Sequence, residues 1–181
     1  MASLREAALA RRSSPKVTDA SPADAELREL LDAAGRVADH ASLTPWRVIA
    51  LRGDARARLG RALAEASGLE GEHAEKLAAK PLRAPLLLAI VATVAPHPKV
   101  PEWEQEAVAA GVAHLLSLLL DDAGWGVMWR TGPHTRRPAV AAMHGLAPNE
   151  RLLGWLYVGG RPPEAKPPRE RAVADRLTTL D

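Results

Sequence analysis

The sequence from Trp103 to Gly132, WEQEAVAAGVAHLLSLLLDDAGWGVMWRTG, decides the fold. Between residues 107 and 120 almost every position is apolar, and the run is broken only by Gly111, His114 and Ser117. A helix of this composition is apolar on all sides, so we expect it to lie in a core or a subunit interface, with His114 as a hydrogen-bonded core residue. The helix is too short and too interrupted to span a membrane.

The residues that follow this helix predict a turn and a short strand. Asp121, Asp122 and Gly124 end the helix, and a strand then leads through residues 127–129 to the turn Arg130-Thr131-Gly132. The end of such a strand presents backbone N–H groups together with one guanidinium group. This arrangement suits a flat, anionic ligand.

The composition predicts one ordinary globular domain. The chain has 181 residues, of which 47% are hydrophobic and 25% are charged, and its formal net charge is +2. No run of basic residues is typical of a nucleic-acid-binding arm, so no nucleic-acid partner is expected. There is no cysteine, which excludes disulfides and thiolate chemistry. The N-terminal residues MASLREAALARRS carry charges where a signal peptide needs an apolar stretch, so we expect a cytoplasmic location.

The rest of the chain alternates predicted helices with short strands. Helices are predicted over residues 2–10, from Ser21 to about His40, over 55–66 with Asp54 as the cap, over 72–80 and over 138–144. Strands are predicted over 46–51, 86–94, 126–130 and 152–158; the second is buried on both faces and the last is stopped by Gly159-Gly160. This pattern indicates an α+β domain over residues 1–160, with a small mixed or antiparallel sheet flanked by helices. An extended, Pro-rich arm is predicted over 161–181.

Several common catalytic and cofactor motifs are absent from the sequence. There is no Gly-X-Gly-X-X-Gly loop after the first strand, no P-loop and no Gly-X-Ser-X-Gly elbow. None of the six histidines has the spacing of a metal ligand, so no metal site is expected. Two groups of cations remain as candidates. Arg11-Arg12-Ser13 is either a phosphate clamp or a solvated helix end, and Arg36 with His40, one predicted helical turn apart, is either part of a site or a surface pair.

Five short motifs follow one another along the chain. They are Arg11-Arg12-Ser13; RVADH at 36–40 leading to PWR at 45–47; VPEWEQ at 100–105; GWG at 124–126 with WRTG at 129–132; and GWLYVG at 154–159. Together they resemble the flavin-dependent nitroreductase family, in particular its short, minimal members, from Leu4 to Gly160. The resemblance implies a nitroreductase-like fold and bound FMN. It also implies ping-pong hydride transfer from NADH or NADPH, through the flavin, to a nitroaromatic, quinone or related small-molecule acceptor, without a side chain as general base.

The same resemblance implies where the cofactors bind. FMN would be held by Arg11, Arg12 and Ser13 at its phosphate and ribityl chain, by Trp129, Arg130 and Thr131 against its ring, and by Arg36 and His40 from the other subunit. The nicotinamide cofactor would lie near Leu119, Leu120, Asp121, Asp122, Ala123 and Gly124. The implied assembly is a homodimer with its sites in the interface, and the Pro-rich arm is expected to wrap the partner.

Two positions depart from the family pattern, and three classes of function remain open. Ala38 stands where many relatives carry a proline, and Ala141 stands where an arginine is expected, so that Arg136 or Arg137 would have to supply this charge. The main hypothesis is an FMN-dependent oxidoreductase. The alternatives are a flavin-binding storage or sensor protein with little turnover, and a helical interaction module whose apolar helix is only a dimer seam.

Overall fold

The computed structural model of the protein describes residues 3–163 and 176–180. In these residues the α-helices are α1 (Leu4–Ala10), α2 (Asp24–Ala34), α3 (Asp54–Ser67), α4 (Gly71–Ala78), α5 (Glu102–Asp122) and α6 (Pro138–Met143). The strands are β1 (Trp46–Leu51), β2 (Leu86–Thr93), β3 (Trp125–Arg130) and β4 (Glu150–Gly160). Short 3-10 helices cover His40–Ser42, Lys80–Arg83 and Pro133–Arg136.

The four strands form one antiparallel sheet in the order β1-β2-β4-β3. Strand β2 is buried along its whole length except at Thr93, as its continuous apolar sequence predicts. In the described part of the chain β3 is an edge strand, and it pairs with β4 from Trp125 opposite Gly160 to Arg130 opposite Trp155. The prediction of an α+β fold with a small sheet flanked by helices is therefore confirmed.

Helices cover both faces of this sheet. Side chains of β4 alternate between the two sides, as the period of a strand requires. Trp155 and Tyr157 pack into a core with α3, α4 and α6, which we call the α3 face. Leu156 and Val158 pack into a second core with α2 and α5, which we call the α5 face. Strand β3, at the edge of the sheet, contributes Val127, Trp125 and Trp129 to the core of the α5 face.

Helix α2 differs from its prediction at both ends. Its N-cap is Ala23 rather than Ser21, and the helix ends at Ala34 because Gly35 follows and favours termination. The prediction that the helix continues to His40 is wrong. Arg36 and His40 therefore lie beyond the helix and are not one helical turn apart.

The observed ends of α3, α4 and β4 also differ from their predicted ends, because of local geometry. Gly53, with φ of 51°, is the N-cap of α3, so Asp54 begins that helix instead of capping it. Helix α4 ends at Ala78 rather than at Lys80, because the chain tightens into a 3-10 turn ahead of its proline. Strand β4 is not stopped by Gly159 and Gly160, since both residues pair with β3.

The N-terminal segment brings Arg11–Ser13 to the edge of the sheet that β3 forms. After α1 ends, the Ser14 N–H donates to the carbonyl of Val127 at 2.8 Å. Further along, the Thr18 N–H donates to the carbonyl of Gly160 at 2.9 Å. Residues 14–18 therefore run beside the edge of the sheet.

The long helix α5 is covered on one side only. Val112, Leu116 and Leu120 are buried on the sheet side, whereas Trp103 on the opposite side is 68% exposed. His114 is also exposed, and its ring meets that of Trp129 edge-on at a centroid distance of 4.8 Å. The prediction of a core histidine is wrong, because a single sheet covers only one face of a helix that is apolar all round. None of the described helices is both long enough and apolar enough to cross a bilayer.

Candidate functional site

Three arginines gather where α5 ends and β3 begins; we call Arg11, Arg12, Arg161 and Asp121 the basic corner. Arg161 Nη2 lies 3.0 Å from Asp121 Oδ1 and also donates to the backbone carbonyl of Asp121. The Asp121 residue is only 7% exposed. Burial raises the pKa of its carboxyl group, and the neighbouring guanidinium groups of Arg161, Arg11 and Arg12 oppose that rise.

The basic corner has more positive than negative charge. Within residues 3–163 and 176–180, the side chains of Arg11 and Arg12 make no hydrogen bond or ion pair, and Arg161 shares Asp121. With Asp121 ionised, three guanidinium groups and one carboxylate leave about two positive charges, which matches a phosphate monoester dianion. Guanidinium groups bind phosphate oxygens in bidentate fashion. The corner is therefore suited to a phosphate group.

A cavity of about 150 Å³ lies at the other end of β3, on the α3 face; we call it the β3-end cavity. Its apolar wall comes from Leu63, Leu77 and Trp155, and its polar wall comes from Lys80, Arg130, Thr131, His134 and Tyr157. None of these lining side chains is acidic. The cavity thus combines a flat apolar wall with cations and hydrogen-bond donors.

Polar atoms around this cavity lack partners. Arg130 Nε and His134 Nδ1 are buried and have no hydrogen-bond partner in the described residues, although the Arg130 guanidinium lies 5.1 Å from the centre of the Tyr157 ring. Burial raises the pKa of Tyr157 to about 12, against the influence of Arg130 and Arg83, so its hydroxyl stays protonated at neutral pH. Leaving buried polar atoms unpaired costs free energy, and such atoms point to a ligand.

Strand β3 joins the two places. Its six residues cover about 16 Å from the basic corner to the β3-end cavity. On the α5 face of the same strand, Trp129 packs against His114, and its indole Nε1 is buried without a partner in the described residues. Gly154 lets the strand end pack closely, since a Cβ there would lie 2.5 Å from the Arg130 carbonyl. The geometry fits an elongated ligand with an anion at one end and a planar group at the other.

His40 lies apart from both places and lines an open groove of about 410 Å³, and Arg36 directly precedes the first residue of that groove. The groove is lined by Val37, Ala38, His40, Glu104, Ala107, Val108 and Gly111. His40 Nδ1 lies 2.9 Å from Glu104 Oε2, and Arg36 is exposed. At a rise of about 1.5 Å per residue, Glu104 is about 25 Å from Asp121 along α5. A single chain therefore does not bring His40 to the basic corner.

The loop after His40 is strained, which the sequence did not indicate. Ala41, Ser42 and Thr44 have φ values of 64°, 53° and 48°, a region that residues other than glycine rarely occupy. The Asp39 carboxylate supports the loop by accepting a 2.7 Å hydrogen bond from the Thr44 N–H. Strain of this kind concentrates at functional sites, where the surrounding structure maintains it.

The predicted nicotinamide segment, residues 119–124, has a first half that is largely buried and a second half that is exposed. Leu119 is half-buried, and Leu120 and Asp121 are buried. Asp122, Ala123 and Gly124 are exposed. Only this second half offers side chains and backbone to a ligand without rearrangement.

The structure also places the residues near the missing family arginine. Ala141 lies in α6, and Arg137 is the exposed N-cap of that helix. Arg136 Nη2 lies 3.6 Å from Glu106 Oε2, so its charge is shared with α5.

Sequence reasoning missed Lys80, His134 and Tyr157 at the cavity and Arg161 at the corner, because only tertiary packing makes them neighbours. Among the described residues, no group of three or more His, Cys, Asp or Glu side chains could hold a metal ion.

Comparison with known proteins gives a consistent result. A model of the nitroreductase family matches residues 8–160. The Escherichia coli K12 protein named "Putative NAD(P)H nitroreductase YdjA" is 32% identical over 152 residues, which cover 82% of this chain and 83% of that protein. A nitroreductase-like family protein from Bacillus cereus superposes with a TM-score of 0.86 at 22% identity, covering 100% of this chain and 97% of that one. The FMN and NADPH-dependent nitroreductase NfnB from Sphigopyxis sp. strain HMH gives a TM-score of 0.77 at 18% identity, and the superposition covers 99% of this chain and 100% of NfnB.

Proposed function

The chain belongs to the nitroreductase family, and from this we propose that it is an NAD(P)H-dependent FMN oxidoreductase acting on a nitroaromatic, quinone or related small-molecule acceptor. The observation that carries the proposal is the pair of sites joined by β3. Among the described residues, one end offers guanidinium groups without an ion-pair partner, and the other offers a cavity with buried polar atoms that lack hydrogen-bond partners. NfnB, which has the same fold, is described as FMN and NADPH-dependent.

The residues at both ends of β3 fit FMN. We assign its phosphate and ribityl chain to Arg11, Arg12 and Ser13, and its ring to Trp129, Arg130 and Thr131. Guanidinium groups and a hydroxyl suit a phosphate and a polyol, while an apolar wall with unpaired N–H groups suits an isoalloxazine. When bound, FMN supplies the redox chemistry, since its ring can take up a hydride and release two electrons.

The contribution of the protein is binding, orientation and electrostatics. Lys80 and Arg130 place positive charge beside the β3-end cavity, where it would stabilise negative charge on a reduced ring. The protonated hydroxyl of Tyr157 and the Nε–H of Arg130 are available as donors there, and His134 Nδ1 offers a donor or an acceptor according to the tautomer of the ring. No side chain is assigned as a general base. We propose that donor and acceptor use one slot in turn, which gives ping-pong kinetics.

The remaining binding contacts belong to the proposed homodimer. We propose that the nicotinamide cofactor meets α5 at its end, over Leu119–Gly124 and mainly through the exposed Asp122–Gly124, and that Arg36 and His40 reach the FMN of the partner. The distance of about 25 Å along α5 and the exposed face around Trp103 support a shared site. We also propose a cytoplasmic location and a domain boundary at residue 160. The arm over 161–181 would wrap the partner, and residues 164–175 and 181 of that arm lie outside the described residues.

An absorbance spectrum of the purified protein tests this function. We expect the two visible bands of an oxidised flavin, their loss on anaerobic addition of NADH or NADPH, and their return when a quinone or nitroaromatic is added. Protein that stays colourless after incubation with excess FMN would contradict the proposal. Protein that binds FMN but is not reduced by either nicotinamide would instead be a flavin storage or sensor protein.

A further inference from the structure

The β3-end cavity has room for a single aromatic ring. Its volume of about 150 Å³ is close to that of a protein cavity that holds one benzene molecule. A flavin has three fused rings, so a flavin that contacts Trp129–Thr131 is too large to enter this cavity. The space inside the cavity therefore remains for a second, smaller group beside the flavin.

The floor of the cavity favours an aromatic group. Four of the lining residues are at most 7% exposed and belong to the core of the α3 face: Leu63, Leu77, Trp155 and Tyr157. The orientation of the Trp155 indole is fixed further, since its Nε1 donates to His144 Nε2 at 3.0 Å. A rigid, apolar floor with two aromatic side chains is suited to burying a flat ring.

The polar side of the cavity favours a negative charge on that ring. Lys80 and Arg130 line it, none of the lining side chains is acidic, and neither cation forms an ion pair among the described residues. Arg130 Nε and His134 Nδ1 are buried without a hydrogen-bond partner in the same part of the chain. The Tyr157 hydroxyl stays protonated at neutral pH and is a further donor. A neutral apolar ligand would leave these groups unpaired, whereas an anion would pair with them.

We propose that the β3-end cavity binds a monocyclic aromatic acid, whose acidic group pairs with Lys80 and Arg130. The ring of this ligand lies on Trp155 and Tyr157. The inference rests on the proposed function, and it narrows the electron acceptor to nitroaromatic or quinone compounds that carry a carboxylate or a similar negative group. Because Arg130 and Thr131 belong both to the cavity and to the proposed flavin contact, an acceptor held there lies next to the flavin.

The test compares two nitroaromatic acceptors of similar size, para-nitrobenzoate and the neutral para-nitrobenzyl alcohol. Steady-state kinetics are measured on the full-length holoenzyme, for the wild type and for Lys80→Gln. We expect Lys80→Gln to raise KM for the acid about 10-fold without changing kcat, because an ion pair with a remote substituent contributes equally to substrate and transition-state binding. Both constants for the alcohol should stay unchanged, which also shows that the variant is folded. Lys80→Arg, which keeps the charge, should retain most of the affinity for the acid.

Lys76→Gln is the matched control, because Lys76 is an exposed cation of the neighbouring helix α4 that pairs with Glu72 and does not line the cavity. It should treat both acceptors as the wild type does. Calorimetric titration of the oxidised protein with para-nitrobenzoate gives the same comparison without turnover, and Lys80→Gln should again weaken binding about 10-fold.

Two results would overturn the inference. One is an unchanged KM and dissociation constant for para-nitrobenzoate in Lys80→Gln. The other is a loss of FMN affinity, or an equal rise of KM for acid and alcohol, since the cavity would then be part of the flavin slot. A wild type that reduces neither acceptor would overturn the proposed function instead. In that case, calorimetric binding of para-nitrobenzoate that depends on Lys80 would still support a site for aromatic acids, and absence of binding would reject it.

Discussion

At the scale of single residues, the candidate site is made of polar groups that have no partner among the described residues. Several charged side chains of this protein are held in ion pairs: Arg47 binds Glu150, and Arg151 binds Glu102 and Glu106. The basic corner and the β3-end cavity differ, because guanidinium and imidazole nitrogens remain without acceptors in the described residues. An unpaired donor destabilises the protein alone and favours the complex with a ligand.

Removing Arg11 should weaken the flavin complex. Arg11→Ala deletes a charge-assisted pair with the phosphate, so we expect FMN binding to fall by about 2–4 kcal/mol. Titration of the stripped protein, followed by flavin fluorescence, measures the change. Arg5→Ala, an exposed residue of α1, is the control and should bind FMN normally. An Arg11→Ala protein that purifies with one flavin per chain would make Arg11 merely a solvated helix end.

Glu150 should make stability depend on acid pH. Hydrogen bonds from Arg47 lower the pKa of Glu150 from 4.5 to about 2, aided by the Ala147 N–H and the Thr93 hydroxyl and opposed by burial. Because the folded-state pKa is depressed, the stabilisation is present above pH 4.5 and is lost as pH falls towards 2. We expect Glu150→Gln to lose about 1–3 kcal/mol of unfolding free energy at pH 7.

Urea unfolding between pH 2 and pH 7 checks this expectation. The free energy of unfolding of Glu150→Gln should vary less with pH than that of the wild type over the acid range, because the titrating group is gone. Glu65→Gln, at an exposed position of α3, should keep the wild-type profile. Parallel profiles for Glu150→Gln and the wild type would refute a depressed pKa at this carboxyl group.

The residue scale also shows what a sequence can reveal about a site. Arg11–Ser13 and Trp129–Thr131 could be named because they belong to contiguous motifs. Lys80 and Arg161 could not, since neither has a local signal. Their positions depend on how a 3-10 turn packs in the fold and on the long-range pairing of Gly160 with Trp125.

At the scale of elements, α5 organises both the core and the site. Its first turn is tied to the loop after β2 by Gln105, which is 1% exposed. The Gln105 amide accepts from the Ala95 N–H at 2.9 Å and donates to the carbonyls of Ala95 at 2.8 Å and Val100 at 3.1 Å. This one side chain therefore fixes the Pro-rich loop 95–101 against the helix.

Replacing Gln105 should destabilise the fold. Gln105→Leu has a similar volume but leaves one N–H and two carbonyl groups near the core without partners, so we expect a loss of about 2–4 kcal/mol of unfolding free energy. Chemical denaturation monitored by tryptophan fluorescence measures it. Asp122→Asn, at an exposed position of the same helix, should change stability by no more than about 0.5 kcal/mol. Equal stability of the two variants would mean that water replaces Gln105 without cost.

The elements were predictable where composition alone determines them. The continuous apolar run of β2 and the length of α5 follow directly from the sequence. The end of α2 did not follow from the sequence pattern, because the helix stops before Gly35 although the apolar spacing continues to Val37. The exposed side of α5 was also beyond prediction, since a helix without an amphipathic pattern does not indicate which face meets the sheet.

At the scale of the whole molecule, the exposed face of α5 implies a partner. Trp103, Ala107 and His114 are exposed on a helix that is largely apolar between its charged ends. An uncovered apolar face of this kind is typical of a subunit interface. The family resemblance expressed in the sequence is confirmed by the match over residues 8–160, whereas the homodimer stays a prediction.

A charge on this face should break the dimer. We expect light scattering to give a dimer mass for the wild type at micromolar concentration and a monomer mass for Ala107→Glu, because a dimer would bury the new carboxylate without a partner. Circular dichroism should be unchanged, since Ala107 is exposed within one chain. Ala79→Glu, an exposed position at the end of α4, should remain dimeric. A monomeric wild type would contradict the interface.

The shared site makes a sharper prediction, because two inactive variants should restore each other. If each FMN site takes Arg11 from one subunit and Arg36 from the other, a heterodimer of Arg11→Ala with Arg36→Ala has one doubly damaged site and one intact site. Coexpressed, differently tagged chains should therefore recover about half of the wild-type activity per heterodimer.

Sites built within one chain would give the opposite result, since both sites of the heterodimer would then carry one damaged residue. The separation of about 25 Å along α5 between Glu104, the partner of His40, and Asp121 at the basic corner favours the shared arrangement. Tandem purification on both tags isolates the heterodimer, and mass spectrometry confirms that each chain is present. Steady-state NADH and NADPH oxidation is then compared with that of the two parent homodimers. Activity no higher than theirs, in a verified heterodimer, would reject the shared site and return Arg36 to the role of a surface residue.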